Sequence, residues 1–123
     1  MSDQRPAVLI IEDNEPVRRL LLDVIGGEGF EVLGATTGAE ALEQLRRGVN
    51  VCVILLDLML PGMSGFEFRQ QQQRDPALAH IPVVIISAYA RMHTTVRRLD
   101  AVAYFEKPID IDRLLETVAR YCC

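Results

Sequence analysis

The sequence predicts an α/β domain: a five-stranded parallel sheet, doubly wound, with helices on both faces. Three observations predict it. Short β-branched apolar runs alternate with longer segments of helical period along the whole chain. The helical segments open on residues suited to cap them. The length, 123 residues, fits one domain with a substantial core.

The strand runs are Ala7 to Ile11, Phe30 to Gly34, Val51 to Leu56, Pro82 to Ile86 and Val102 to Phe105. All but Phe30 to Gly34, which contains Glu31, are unbroken rather than alternating, as expected of strands covered on both faces. Between the first two, Val17, Leu20, Leu21, Val24 and Ile25 mark one helix face, with Asn14 as cap, Pro16 in the first turn and Gly26-Gly27 as the stop. Thr37-Gly38-Ala39-Glu40 and Ser64-Gly65-Phe66-Glu67 each have the form of a capping box. Gln70 to Gln73 fall inside the helix that follows and read as a solvated face, with Gln72 or a neighbour pointing partly inward. Ile111, Leu114, Leu115 and Val118 give a last helix that Asp110 can cap. The result is a βα unit repeated five times.

Bulk properties exclude several function classes. The formal net charge is -4, which disfavours direct binding to nucleic acid or to an anionic membrane. The polar start, Met1 to Pro6, is no signal peptide, and the longest apolar run, Val51 to Leu56, is far too short to span a bilayer. A cytoplasmic location is expected. The three cysteines, Cys52, Cys122 and Cys123, match neither a zinc site nor a Cys-x-x-Cys motif. Cys52 reads as a small buried hydrophobe and the C-terminal pair as reduced thiols. His80 and His93 read as surface residues.

Ligands of open α/β sheets bind outside the carboxyl ends of the strands. Glu12 and Asp13 follow strand one, Asp57 strand three, Ser87 strand four, and Lys107 strand five, with Pro108 next. Singly these are weak signals: an Asp after a strand is usually a helix cap, a Ser likewise, and a Lys is usually surface. Together they describe a pocket of three acids, a hydroxyl and one ammonium, with a net charge of about -2 that calls for a cation. Oxygen ligands favour a hard ion such as Mg2+, with Mn2+ as a substitute. Such a pocket suits phosphoryl transfer to a carboxylate.

On Glu12-Asp13-Asn14, Leu55 to Gly65 around Asp57, Ile81 to Ala88 around Ser87, and Tyr104-Phe105-Glu106-Lys107-Pro108, the chain resembles the receiver domains of two-component response regulators from about Val8 to Tyr121. The resemblance implies a flavodoxin-like fold with strand order 2-1-3-4-5. It implies Asp57 as phosphoacceptor; Asp13, Asp57, the Met59 backbone carbonyl and, through water, Glu12 as Mg2+ ligands; Ser87 and Lys107 as phosphoryl partners; Tyr104 as an aromatic switch; and a cis Lys107-Pro108 bond. Without the family, Tyr104 would read as a half-buried strand aromatic and Met59 as loop filler. The implied donor is a histidine kinase or histidine phosphotransfer domain. The implied output is contact with a downstream protein, with room for a dimer on phosphorylation. A single receiver domain over 1-123, acting as a phosphorylation-driven binding switch rather than an enzyme, is the expectation. The alternatives are the N-terminal part of a longer response regulator, a Mg2+-dependent phosphohydrolase, and a receiver-like fold that has lost phosphorylation.

Three departures stand out. Ser87 to Lys107 looks about two residues short, which suggests a shortened or irregular fourth helix. Asp100-Ala101 stands where Gly-Ala often precedes strand five. Met59 and Tyr89, two beyond Asp57 and Ser87, offer no carboxylate or amide to activate water, so slow self-dephosphorylation is expected.

Overall fold

In a computed structural model, which describes residues 5–88 and 99–122, five strands form one parallel sheet. The elements are β1 (Ala7–Ile11), α1 (Glu15–Gly27), β2 (Glu31–Ala35), α2 (Gly38–Arg46), β3 (Val51–Asp57), α3 (Gly65–Arg74), β4 (Val83–Ser87), β5 (Ala103–Glu106) and α4 (Ile111–Tyr121). The order is β2-β1-β3-β4-β5, as expected. Strands two to five begin or end one residue away from the sequence-derived limits. The helix expected between β4 and β5 falls mostly on 89–98, outside the described residues, as do Tyr89 and His93.

The unbroken apolar strands follow from burial on both faces. Leu9, Ile11, Ile54, Leu56 and Ile85 face α2 and α3, where they meet Ala41, Leu42, Leu45 and Phe68. Val8, Ile10, Val53, Leu55 and Val84 face α1 and α4, where they meet Leu21, Ile25, Leu114 and Val118. Each fully buried Leu, Ile, Val or Phe contributes about 1.5–3 kcal/mol, so these two layers supply most of the driving force. On α1, Leu20 is exposed and Leu22 packs instead, a shift of the apolar face from the expected one. The helix ends at Gly27, at the expected Gly26-Gly27 stop, and the turn after it uses Gly29, whose φ of 96° suits glycine.

Capping follows the sequence with one change. Asn14, Ser64 and Asp110 each accept a backbone N–H in the first turn of their helix, and Ser64 and Glu67 complete a reciprocal box. Thr37 accepts from the Glu40 N–H, but the Glu40 carboxylate turns to the N–H and hydroxyl of Thr36.

The glutamine run holds an interior polar network. Gln70 and Gln73 are exposed, whereas Gln72 is fully buried and donates to the carbonyls of Leu78 and Ile81, both at 3.0 Å. Its Oε1 accepts from the Arg69 guanidinium at 2.7 Å. Arg69, also buried, donates in addition to the carbonyls of Leu99 (2.8 Å) and Asp100 (3.1 Å). These bonds pin α3 to the turn that enters β5. Asp100 there has φ 55°, the left-handed conformation that glycine adopts freely and Asp tolerates.

The cysteine reading is corrected. A disulfide joins Cys52 of β3 to Cys122, the residue that caps α4, with Cα atoms 5.4 Å apart and a sequence separation of 70. Cys52 faces the layer that receives α4, so the last turn of that helix delivers Cys122 onto it. Nothing local to either cysteine signals the pairing. Among the described residues, no helix is long and apolar enough to cross a membrane.

Candidate functional site: an acidic pocket at the strand ends

Parallel strands point their carboxyl ends one way, so residues scattered over the sequence meet there. Glu12 leaves β1, and Asp57 is the last residue of the adjacent β3. Glu12, Asp13 and Asp57 each place a carboxylate oxygen within 4.8 Å of the others. Glu12 and Asp57 are buried and Asp13 is exposed. Lys107, just past β5, reaches back across β4. Its Nζ donates to Glu12 Oε1 at 2.7 Å and to Asp57 Oδ2 at 3.1 Å.

The remaining carboxylate oxygens meet backbone donors. The Met59 N–H donates to Asp57 Oδ1 at 3.0 Å, and the Asn14 N–H donates to Glu12 Oε2 at 3.1 Å. Asp57 is thus held on both oxygens. Ser87 is buried at the end of β4, one residue past Ile86, which pairs with Asp57. The Lys107 N–H donates to the Ser87 carbonyl at 2.8 Å, which fixes the root of the lysine beside that strand end. The Lys107-Pro108 bond is cis, as the family resemblance implies. Met59 and Tyr104 are about half exposed.

Gly65 shows how tightly the turn after β3 folds. A Cβ there would lie 2.6 Å from the Leu58 Cα and 2.7 Å from the Asp57 carbonyl oxygen. The Gly65 N–H donates to the Leu58 carbonyl at 3.0 Å, which closes the turn under Asp57.

Electrostatics matches the sequence-level expectation. Burial, with the nearby Asp57 carboxylate adding to it, pushes the Glu12 carboxyl up to about 7. Burial pulls the Lys107 ammonium down, but its bonds to Glu12 and Asp57 outweigh that and hold it above its ordinary value. Three carboxylates and one ammonium leave a surplus of negative charge, and the oxygen-only donor set suits a hard divalent cation.

The structure brings Glu12, Asp13, Asp57 and Lys107 into direct proximity and sets Ser87 beside them. Sequence reasoning missed Arg18 and the two backbone donors. The Arg18 guanidinium donates to the Glu12 carbonyl at 3.0 Å and lies 3.5 Å from that of Asp13, so it braces the turn that presents both acids. Its place four residues after the cap Asn14, one helical turn on, was the available signal.

Comparison with known proteins agrees. Residues 8–119 match the response regulator receiver domain. The polar-differentiation response regulator DivK of Brucella ovis is 37% identical over 117 residues, covering 94% of each chain. Among solved structures, a sensor protein from Polaromonas sp. JS666 superposes with a TM-score of 0.86 at 30% identity, covering 96% of both chains. The response regulator TrrA of Thermotoga maritima, solved with Mg2+ and BeF, gives 0.83 at 27% identity, covering 94% of this chain and 98% of that one. Its acidic strand-end pocket, its sheet order and these matches together place the chain in the response regulator receiver domain family.

Proposed function

We propose that this receiver domain takes a phosphoryl group onto Asp57 in a Mg2+-dependent reaction, from a histidine kinase or a histidine phosphotransfer domain. The observation that carries the reading is the Lys107 ammonium, which reaches two buried carboxylates from another strand beside a third acid. Asp13, Asp57, the Met59 carbonyl and, through water, Glu12 would hold the metal. When bound, the metal supplies positive charge to the phosphoryl oxygens.

The chain's own residues do the rest. Asp57 is fixed at one oxygen by the Met59 N–H and at the other by Lys107. One carboxylate oxygen forms a bond to phosphorus as the phosphorus–nitrogen bond of the donor breaks. Lys107 moves from carboxylate to phosphoryl oxygen, and Ser87 donates its hydroxyl to another. Ser87 and Tyr104 share the β4–β5 edge, since Ile85 pairs with Tyr104 and Ser87 with Glu106. Movement of Ser87 toward the phosphate frees space for Tyr104 to turn inward, and the exposed surface changes for a protein partner. Catalysis is confined to the domain's own phosphorylation and slow dephosphorylation. Met59, two beyond Asp57, supplies no acid for turnover of a leaving group, which disfavours a phosphohydrolase.

Intact-mass spectrometry after incubation with acetyl phosphate and Mg2+ tests this. One phosphoryl adduct is expected, lost in Asp57→Asn and in chelator. Steady phosphate release with no adduct would support the hydrolase instead.

A further inference from the structure

The disulfide lies at the opposite end of β3 from Asp57, and the phosphoryl chemistry does not use it. We propose that Cys52 and Cys122 form a reversible redox site, closed by a low-molecular-weight disulfide and opened by the matching thiol. Three features support reversibility rather than a permanent brace.

The first is access. Cys122 lines a cavity of about 220 Å³ together with Arg5, Pro6, Glu28, Phe30 and Glu31, so a small reagent can come up against this residue. The second is a ready reduced state. Cys52 Sγ lies 3.4 Å from the Ala7 carbonyl oxygen, an acceptor in place for the hydrogen of a free thiol. The third is position. Cys122 is the cap of α4 and follows its last turn, whereas the anchors that bury the helix, Leu114 and Val118, lie further back. Opening the bridge releases the cap of α4 and leaves these anchors in place.

Oxidation proceeds in two exchanges. One cysteine, as its thiolate, attacks a sulfur of the small disulfide and expels one small thiolate, giving a mixed disulfide. The other cysteine attacks the protein-side sulfur and expels the second. The two cysteines lose two electrons and two protons, and the small disulfide becomes two thiols. Reduction is the reverse.

The test uses the full chain carrying Cys123→Ser, which leaves only the pair. It is equilibrated with glutathione at graded oxidised-to-reduced ratios without denaturant. Thiols are then trapped with an alkylating agent and counted by mass. The count should fall from two to none across the series, with no change in the folded far-UV signal. The thermal midpoint should be roughly 10 °C higher in the bridged form, since the link closes a long loop. In a second variant, Cys52→Ser with Cys123→Ser, Cys122 should take one glutathione through the cavity. Two alkylated thiols at every ratio would overturn the proposal. So would a bridge that survives excess reduced glutathione until denaturant is added, or a folded second variant that takes up no glutathione.

Discussion

Replacing Lys107 with Met should push two properties of the pocket in opposite directions. The ammonium holds Glu12 Oε1 at 2.7 Å and Asp57 Oδ2 at 3.1 Å, and its side chain is only 24% exposed. A cation that uses these carboxylates must displace it. A hydrogen bond to a charged group contributes about 1.5–3 kcal/mol, and partial exposure cuts the pair's combined hold to about half of what two such bonds would give. Losing about 1.5–3 kcal/mol of competition corresponds to roughly 10- to 100-fold tighter Mg2+ binding. Phosphorylation should move the other way, because the phosphoryl oxygens lose their ammonium partner. A drop of at least about 100-fold in adduct formation is expected, the scale seen when one such donor is removed. Titration calorimetry with MgCl2 and timed intact-mass spectra with acetyl phosphate read the two effects on the same protein. Weaker Mg2+ binding in Lys107→Met, with normal folding, would refute the view that Lys107 occupies the cation's carboxylates.

Protons should compete with Mg2+ in the same pocket. The Glu12 carboxyl titrates near 7, above its ordinary 4.5, because burial and Asp57 disfavour its charge. A raised carboxyl pKa means the folded metal-free protein binds the extra proton, so this group's contribution to stability is full below about 4.5 and is lost as pH rises toward 7. Mg2+ affinity should accordingly rise with pH up to about 7 and then level off, and Glu12→Gln should flatten that dependence; calorimetry in buffers of different ionisation enthalpy counts the released proton. Gly65→Ala sets a Cβ 2.6 Å from the Leu58 backbone, which cannot yield as a side chain would, so a loss of about 1–3 kcal/mol in urea unfolding and a slower adduct at Asp57 are expected. Arg69→Met strands the carbonyls of Leu99 and Asp100 and should cost about 2–4 kcal/mol. In a double-mutant cycle with Gln72→Leu the two losses should fall short of additivity by about 1.5–3 kcal/mol; additivity would mean the 2.7 Å bond between them contributes nothing.

How much of this was legible beforehand depends on the range of the interaction. The strands and caps were readable because burial on both faces forces unbroken apolar runs, and a cap is decided within four residues. The pocket was readable because a parallel sheet sends every strand's carboxyl end to one side, so Glu12, Asp57, Ser87 and Lys107 converge whatever lies between them. The misses are contacts that no local pattern encodes. Cys52 and Cys122 meet only after β3 and α4 are stacked. Gln72 reads as turned partly inward, but its partners and the part played by Arg69 were not legible, because those partners are backbone carbonyls of distant turns, which leave no trace in side-chain chemistry. Leu20 and Leu22 exchanged places because the apolar face of α1 is wide enough to rotate by part of a turn.

The measurement closest to the central claim locates the phosphoryl group. After incubation with acetyl phosphate and Mg2+, borohydride reduces an aspartyl phosphate to homoserine, and peptide mass spectrometry shows which residue was converted. Homoserine in place of Asp57, absent without Mg2+, with no homoserine at Asp13 and no hydroxynorvaline at Glu12, is the result expected. Conversion at Asp13 or Glu12 with Asp57 intact would contradict the assignment of the nucleophile.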